Sequence, residues 1–355
     1  MNEPISVLVA GCGNMGTSHA YAYKEHPGFQ IAGLVSRGSA SRKKLAEQLG
    51  GDVPLFGDYD EALKATTPGA VSINTYPDTH AEFAIKALRA GAHVFVEKPL
   101  AETSEKAEDV VSLAKAMGKK VVVGYILRHH PAWKQFVEIA QTLGKPLVMR
   151  MNLNQQSHGD GWQGHKNLMQ SMSPIVDCGV HYVDIMCQMT KAKPIRVYAI
   201  GAKLSHEIAD DMYNYGQLQV IFDDDSVGWY EAGWGPMMSE TAFFVKDVIG
   251  PKGCVSIVKA ERGGSSDIER HTQVNTLKQH FSELDERGEF IKQDVFIDTS
   301  DEPDHNELCA REQQFFYNAI TQNRDLNAHF HDAVNSLRIV LAADTSVRTG
   351  QVVTL

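Results

Sequence analysis

Cysteine is scarce and scattered in this chain. Cys12, Cys178, Cys187, Cys254 and Cys309 form no C-x-x-C pair, and five is an odd number. That pattern argues against a disulfide framework and a structural zinc site, and it fits a reducing compartment. A surplus of positive charge is also missing: 34 basic residues against 44 acidic ones give a net charge of −10. General nucleic-acid binding and attachment to anionic membranes are both disfavoured. No apolar run approaches the length of a membrane span. The first ten residues carry no basic n-region, and their apolar run stops at Gly11. A soluble, cytoplasmic protein is expected. There is no internal repeat and no low-complexity tract. What remains is an ordinary globular composition, 43% hydrophobic and 22% charged over 355 residues, long enough for two domains at roughly 100–200 residues each.

The first third alternates short β-branched runs with longer amphipathic segments. Residues 5–10, 30–35, 70–73, 93–96 and 121–123 read as nearly continuous apolar strands, the pattern of a parallel sheet covered on both faces. Between them, 58–64, 79–90 and 104–117 read as helices, with Thr79 and Thr103 as N-caps and Gly91 and Gly118 as stops. This alternation predicts a doubly wound α/β domain over residues 1–126.

Beyond it the texture changes. A helix at 131–143 precedes strands at 146–154, 194–204, 217–222, 226–234 and 254–258, with Asp223-Asp224-Asp225 as a turn. Helices follow from the patterns near 176–189, 306–321 and 332–349, and 262–267 reads as a loop. Residues 127–355 are therefore expected to form an α+β domain with a large, mostly antiparallel open sheet.

Four constellations carry chemistry. Gly11-Cys12-Gly13-Asn14-Met15-Gly16 follows the first strand and opens a helix. Gly11 permits the tight turn, Gly13 the close approach of backbone to a pyrophosphate, and Gly16 close helix–strand packing, with the phosphates on the helix N-terminus. At the end of the next strand stand Ser36 and Arg37, where an NAD-specific fold usually places a carboxylate. An arginine beside a hydroxyl suits a 2′-phosphate, so NADP is favoured over NAD. The third is Glu97-Lys98-Pro99 at the carboxyl end of an apolar strand. Lys98 is placed to face nicotinamide and substrate as a donor or acid, and Pro99 to fix the turn. The fourth is Asp177, His181 and Asp184: at i, i+4 and i+7 of a helix they share one face, which gives an imidazole the carboxylates a general base uses. The same spacing is also read as a structural ion pair, and a metal would need a third ligand from elsewhere. No metal is expected.

In order and spacing these motifs resemble the Gfo/Idh/MocA family of dinucleotide-dependent oxidoreductases, over nearly the whole chain. The resemblance takes in Asn74-Thr75-Tyr76-Pro77-Asp78-Thr79-His80, Gly124-Tyr125 with Arg128, Asp177-x-Gly179-x-His181-x-x-Asp184, and the closing Thr349-Gly350-Gln351-Val352-Val353. It implies a Rossmann domain followed by the α+β domain. It adds Asn74, Thr75, His80, Glu97 and Lys98 to the cofactor-binding residues Gly11, Gly13, Asn14, Met15, Gly16, Ser36 and Arg37. It also places Lys98 and His181 beside the reacting carbon, with Asp177 orienting substrate or imidazole. Two departures stand out: Ser171-Met172-Ser173-Pro174 replaces the usual glycines before Asp177, and Trp162-Gln163 replaces a Trp-Arg pair. In the loop before the 176–189 helix, Trp162, His165 and Lys166 suit a polyhydroxylated ligand, and Arg128 joins them as a candidate substrate contact. Trp229 and Trp234 read better as sheet packing between subunits than as a sugar platform.

The expected function is NAD(P)-dependent hydride transfer on a sugar, cyclitol or related polyol by a homo-oligomer. Two alternatives share the apparatus: glycoside cleavage through transient oxidation by a recycled cofactor, and a non-catalytic dinucleotide-binding sensor.

Overall fold

The computed structural model of the chain describes residues 3–239, 244–258 and 272–355. In chain order its elements are β1 (Ile5–Ala10), α1 (Asn14–Glu25), β2 (Phe29–Val35), α2 (Ser39–Gln48), β3 (Leu55–Phe56), α3 (Tyr59–Thr66), β4 (Ala70–Ile73), α4 (His80–Arg89), β5 (His93–Glu97), α5 (Ser104–Ala116) and β6 (Val121–Gly124). Then come α6 (Pro131–Thr142), β7 (Val148–Gln156), α7 (Gly159–Leu168), α8 (Pro174–Asp177), α9 (Gly179–Thr190), β8 (Pro194–Ala202), β9 (Tyr215–Phe222) and β10 (Val227–Gly235). The remainder is β11 (Lys246–Gly250), β12 (Gly253–Ile257), β13 (Thr276–Phe281), β14 (Val295–Asp298), α10 (His305–Thr321), α11 (Asn327–Thr349) and β15 (Val353–Thr354). No helix among the described residues is long and apolar enough to cross a membrane. The expected loop at 262–267 lies outside the described residues.

Two compact units result. One holds the chain up to His129 together with Pro303–Val334; the other holds His130–Glu302 and Asn335–Leu355. Pro303–Val334, which carries α10, thus joins the first unit, whereas the sequence pattern divides the chain once, at residue 126. The reason is apolar: the Phe316 ring on α10 lies 6.0 Å from Phe29 and 6.2 Å from Phe95, both buried.

In the first unit six parallel strands run in the order β3-β2-β1-β4-β5-β6. Every residue of β4 and β6 is buried, which is why those strands read as unbroken apolar runs. The order reverses between β1 and β4, and the crevice beyond their carboxyl ends is where open α/β sheets take ligands. Asp58 and Thr103 cap α3 and α5 through their side chains. Thr79 does not cap α4; its hydroxyl bonds Tyr76 O at 2.8 Å and the Thr75 hydroxyl at 2.6 Å instead.

The second unit is built on nine strands in the order β14-β13-β12-β11-β7-β10-β9-β8-β15. All neighbours are antiparallel except β7 and β10. Buried Trp133 of α6 and Tyr182 of α9 meet edge to face at 5.8 Å, and Tyr182 stacks on Tyr230 of β10 at 5.1 Å. The single helix expected near 176–189 is two, α8 and α9, joined at Cys178. Gly179 sits at that joint because a Cβ there would lie 2.9 Å from the Tyr230 ring.

Candidate functional site

The first unit offers a dinucleotide cradle. β1 ends at Ala10, Gly11 turns with φ +91°, and α1 begins at Asn14 with no side chain capping its N-terminus. A Cβ at Gly11 would lie 2.4 Å from Asn74 O, and one at Gly16 only 1.9 Å from Gly11 O, so both positions demand glycine. Gly13 is different. A Cβ there would meet nothing within 4 Å, so this glycine leaves the backbone open to a ligand. Asn14 and Met15 open the helix beside it with first-turn N–H groups that no side chain satisfies. These residues fit a bound pyrophosphate.

At the end of β2, Ser36 is half-buried and Arg37 exposed. Arg42 folds back over them, donating from Nη1 to Ser36 O at 2.5 Å and to Arg37 O at 3.4 Å. Arg42 therefore holds the shape of the turn, and the Arg37 guanidinium stands out from it.

Behind the Lys98 turn the polar groups are tightly committed. Glu97 is 7% exposed; its Oε1 lies 2.7 Å from His19 Nε2 and its Oε2 accepts from the Lys98 N–H at 3.2 Å. Burial pushes the Glu97 pKa up, but the hydrogen bond from His19, with the charge of Lys98, outweighs it and holds the carboxylate ionised. Lys98 itself is half-buried and precedes a cis proline. Fully buried His80 joins Pro99 O at 2.7 Å to Thr75 O at 2.9 Å. Burial lowers its pKa, against the pull of both carbonyls and of Glu97. Glu97 and His80 thus act inside the unit, pinning the Thr75 loop and the Lys98 turn. The Asn74 amide bonds to Ser72, and its N–H reaches Ala10 O at 2.7 Å. Arg128 lies over the Tyr125 ring at 4.8 Å, with Nη1 2.9 Å from His329 Nδ1.

In the second unit Ser173 caps α8, accepting from Val176 N at 3.2 Å and donating to buried Asp344 at 2.6 Å. The serine that departs from the glycine pattern is therefore the anchor of the helix that ends at Asp177. His181, 7% exposed, lies in the first turn of α9. Cys178, between the two helices, keeps right-handed helical dihedrals, its N–H donating to Pro174 O and its carbonyl accepting from the His181 N–H at 3.2 Å each, and an Asp184 oxygen accepts from Gln188 Nε2 at 2.8 Å. Around Asp177 the structure gathers Cys178, whose thiol reaches Gln155 Oε1 at 3.3 Å, and Trp234, whose indole N–H donates to the same oxygen at 2.7 Å. His165 stacks flat on Trp234, centroids 4.4 Å apart and planes within 7°. Ser157 Oγ fixes its Nδ1 at 2.9 Å. Burial lowers the His165 pKa to about 4, against the nearby Asp177 charge, so the ring is neutral at pH 7.

Two expectations need correcting here. The segment with Trp162, His165 and Lys166 is not a loop but helix α7. Trp162 is 7% exposed and packs with Met169, Cys178, Ile208 and Trp234, its indole N–H on Glu207 at 3.2 Å, so it is no open platform. Trp234 is fully buried on the inner face of β10; only Trp229, on the opposite face, is available for subunit packing.

Comparisons with known proteins place the chain in a family. Residues 5–125 match the model described as "Oxidoreductase family, NAD-binding Rossmann fold". Residues 134–254 match the "GFO/IDH/MocA C-terminal domain". The chain belongs to the GFO/IDH/MocA family. Bacillus subtilis scyllo-inositol 2-dehydrogenase (NAD(+)) is 26% identical, covering 100% of this chain and 97% of that one. A dTDP-3,4-didehydro-2,6-dideoxy-alpha-D-glucose 3-reductase of Actinomadura kijaniata is 31% identical, but over only 39% of this chain and 41% of its own length. Among solved structures, myo-inositol 2-dehydrogenase from Lactobacillus plantarum shares the fold, with a TM-score of 0.79 at 17% identity over 99% of this chain and 100% of that one.

In this GFO/IDH/MocA chain the residues that sequence reading missed are the partners of the named ones. His19 lies one helical turn beyond Gly16, and its signal was a polar residue on the inner face of an otherwise apolar α1. Gln155 and Ser157 follow an alternating strand pattern that runs past the expected end at 154. Arg42 was visible as a charge but not as a brace.

Proposed function

We propose that this GFO/IDH/MocA chain is an NAD(P)-dependent dehydrogenase or reductase acting on a hydroxyl-bearing carbon of a sugar, cyclitol or related polyol. The open backbone at Gly13, beside an uncapped helix N-terminus, carries the reading. Gly11, Gly13, Asn14, Met15 and Gly16 would hold the dinucleotide, which would supply hydride-transfer chemistry at nicotinamide C4. In the oxidising direction His181 removes the hydroxyl proton at a ring nitrogen, and Asp177 orients the imidazole or the substrate. The Lys98 ammonium donates to the reacting oxygen and lowers the cost of its developing negative charge. Neutral His165, braced by Trp234 and Ser157, and Arg128 are the proposed contacts to substrate hydroxyls; Trp162 packs beside Trp234 beneath His165. Residues 1–126 supply the dinucleotide functions, and 127–355 the substrate and assembly functions.

The test is a panel of cyclitols, aldoses and anhydrosugars with both cofactors, read by nicotinamide absorbance. Turnover with a stoichiometric absorbance change is expected. Glycoside consumption without one points to redox-assisted cleavage, and no turnover on any compound points to a sensor. NADP is the proposed preference, on the exposed Arg37 beside Ser36 where a carboxylate would repel phosphate. Arg37→Ala is expected to weaken NADP by about tenfold, the scale of one charge-assisted hydrogen bond, and NAD far less. Equal losses would show that Arg37 stacks on adenine.

A homo-oligomer in the cytoplasm completes the proposal. The five free cysteines suit a reducing compartment. On the face of the large sheet that carries Trp229, paired Val148, Val227 and Ile249 are each more than a third exposed, with Tyr198 and Ile200 nearby. A row of this kind suits a second copy of the chain. Sedimentation is expected to give a dimer or larger; a monomer at micromolar concentration would refute it.

A further inference from the structure

Among the described residues, one group of metal-ligating side chains is gathered in the interior, behind the Lys98 turn and apart from the groups given catalytic roles. His19 of α1 and Cys309 and Glu312 of α10 have ligand atoms all within 4.8 Å of one another, at 0%, 0% and 1% exposure. Cys309 and Glu312 are i and i+3, so one face of α10 presents both toward α1. We propose that these three side chains form a binding site for a zinc-class divalent cation that ties α1 to α10.

The second observation is Glu312 itself. Both of its carboxyl oxygens are buried without a hydrogen-bond partner. Leaving a buried carboxyl unsatisfied is costly, and an absent ion is one of the few explanations. The imidazole is set up correctly as well. Ionised Glu97 can only accept, so His19 Nε2 carries the proton of their 2.7 Å bond. Nδ1 then presents its lone pair to α10, where Gln313 Nε2 now covers it at 2.9 Å. A carboxylate that orients a ligating histidine from the far side is a recurrent device in zinc sites. Gln313 fits its present place poorly, because its own Oε1 is buried without a partner; on metal binding this amide would turn aside. His305, one turn before Cys309, has Nε2 3.5 Å from the thiol. That contact supports the sulfur from the preceding turn, and the fourth position of a tetrahedral site falls to water or the turned Gln313.

The donor set suits a divalent cation: bound as thiolate and carboxylate, Cys309 and Glu312 would together neutralise its two charges, with the His19 imidazole as a neutral ligand. No spacing motif announces such a site: two ligands share a helix turn, and the third lies 290 positions earlier.

The test uses the full chain, stripped with chelator and reloaded with Zn(II) or Co(II). The expected result is one metal per chain after dialysis and a near-ultraviolet thiolate-to-cobalt charge-transfer band. Cys309→Ser removes the band. Glu312→Gln, nearly isosteric, weakens zinc by roughly 100-fold, the upper end of what loss of a supporting group costs, and keeps the test open should the cysteine variant not fold. Failure of the stripped, folded chain to take up stoichiometric zinc would overturn the proposal. So would a cobalt band that survives Cys309→Ser, or unchanged zinc affinity in Glu312→Gln. Because none of these readouts uses turnover, they are independent of the proposed oxidoreductase activity.

Discussion

His181→Ala is expected to lower kcat/KM for the sugar or polyol by about 10²–10⁴, the range over which a positioned acid–base group acts, while nicotinamide cofactor affinity stays unchanged. The second half follows from the proposed roles, in which the glycine cradle, Ser36 and Arg37, not His181, contact the dinucleotide. Lys98→Met should cost a similar factor. On the proposed mechanism both groups act on one oxygen and would fail as a unit, so the two losses should not add. The double variant is therefore expected to fall little below the worse single one. Steady-state kinetics with a cofactor-binding isotherm on each variant reads all of this. Turnover by His181→Ala within tenfold of the parent would remove the imidazole from the mechanism. A matching loss of cofactor affinity would mean that the variant disturbs the fold.

The second large effect separates two glycines three positions apart. At Gly16 an added methyl would lie 1.9 Å from Gly11 O, a backbone atom that cannot swing away. Gly16→Ala must displace the turn or the start of α1. Overpacking of this kind costs about 1–3 kcal/mol or more, so a melting point several degrees lower and near-complete loss of dinucleotide binding are expected together. At Gly13 the methyl meets nothing within 4 Å. Gly13→Ala should melt as the parent does, yet lose cofactor affinity by tenfold or more, because the methyl enters the space where the pyrophosphate approaches. Calorimetry and cofactor titration on both variants give the contrast. A Gly13→Ala chain that binds normally would show that the loop does not hold the phosphates closely.

The parallel sheet was legible because its strands are buried on both faces and its helices carry glycine stops; β1 and β4 fall where the pattern places them. Helix α7 was not, because Gly159, Gly161 and Gly164 dilute its helical signal and its caps are weak. The break between α8 and α9 was hidden for a related reason: Asp177 and His181 keep helical spacing, and only the approach of Tyr230 to Gly179 marks the joint. The single parallel pair in the second sheet, β7 with β10, depends on a crossover of about 70 residues that no local pattern encodes. In the candidate site, motif spacing singles out Lys98, Asp177, His181 and the glycines as the groups proposed to meet ligand. It could not expose His19, because its partners Glu97 and Gln313 lie 78 and 294 positions away. Side chains that touch ligand recur in short motifs; those that hold them still are brought together only by the fold.

The assignment of Pro303–Val334 to the first unit has a practical corollary for dissecting the enzyme. A fragment stopping at His129 would lack α10, and with it the Phe316 ring over Phe29 and Phe95, the Tyr317 ring beside Phe29 at 5.6 Å, and the Gln313 amide on His19. Such a piece would carry every glycine of its nucleotide loop and yet present a greasy, half-finished flank to solvent. Expressing the amino-terminal half by itself is thus a recipe for aggregation. A faithful minimal dinucleotide module needs the later segment grafted back through an artificial linker.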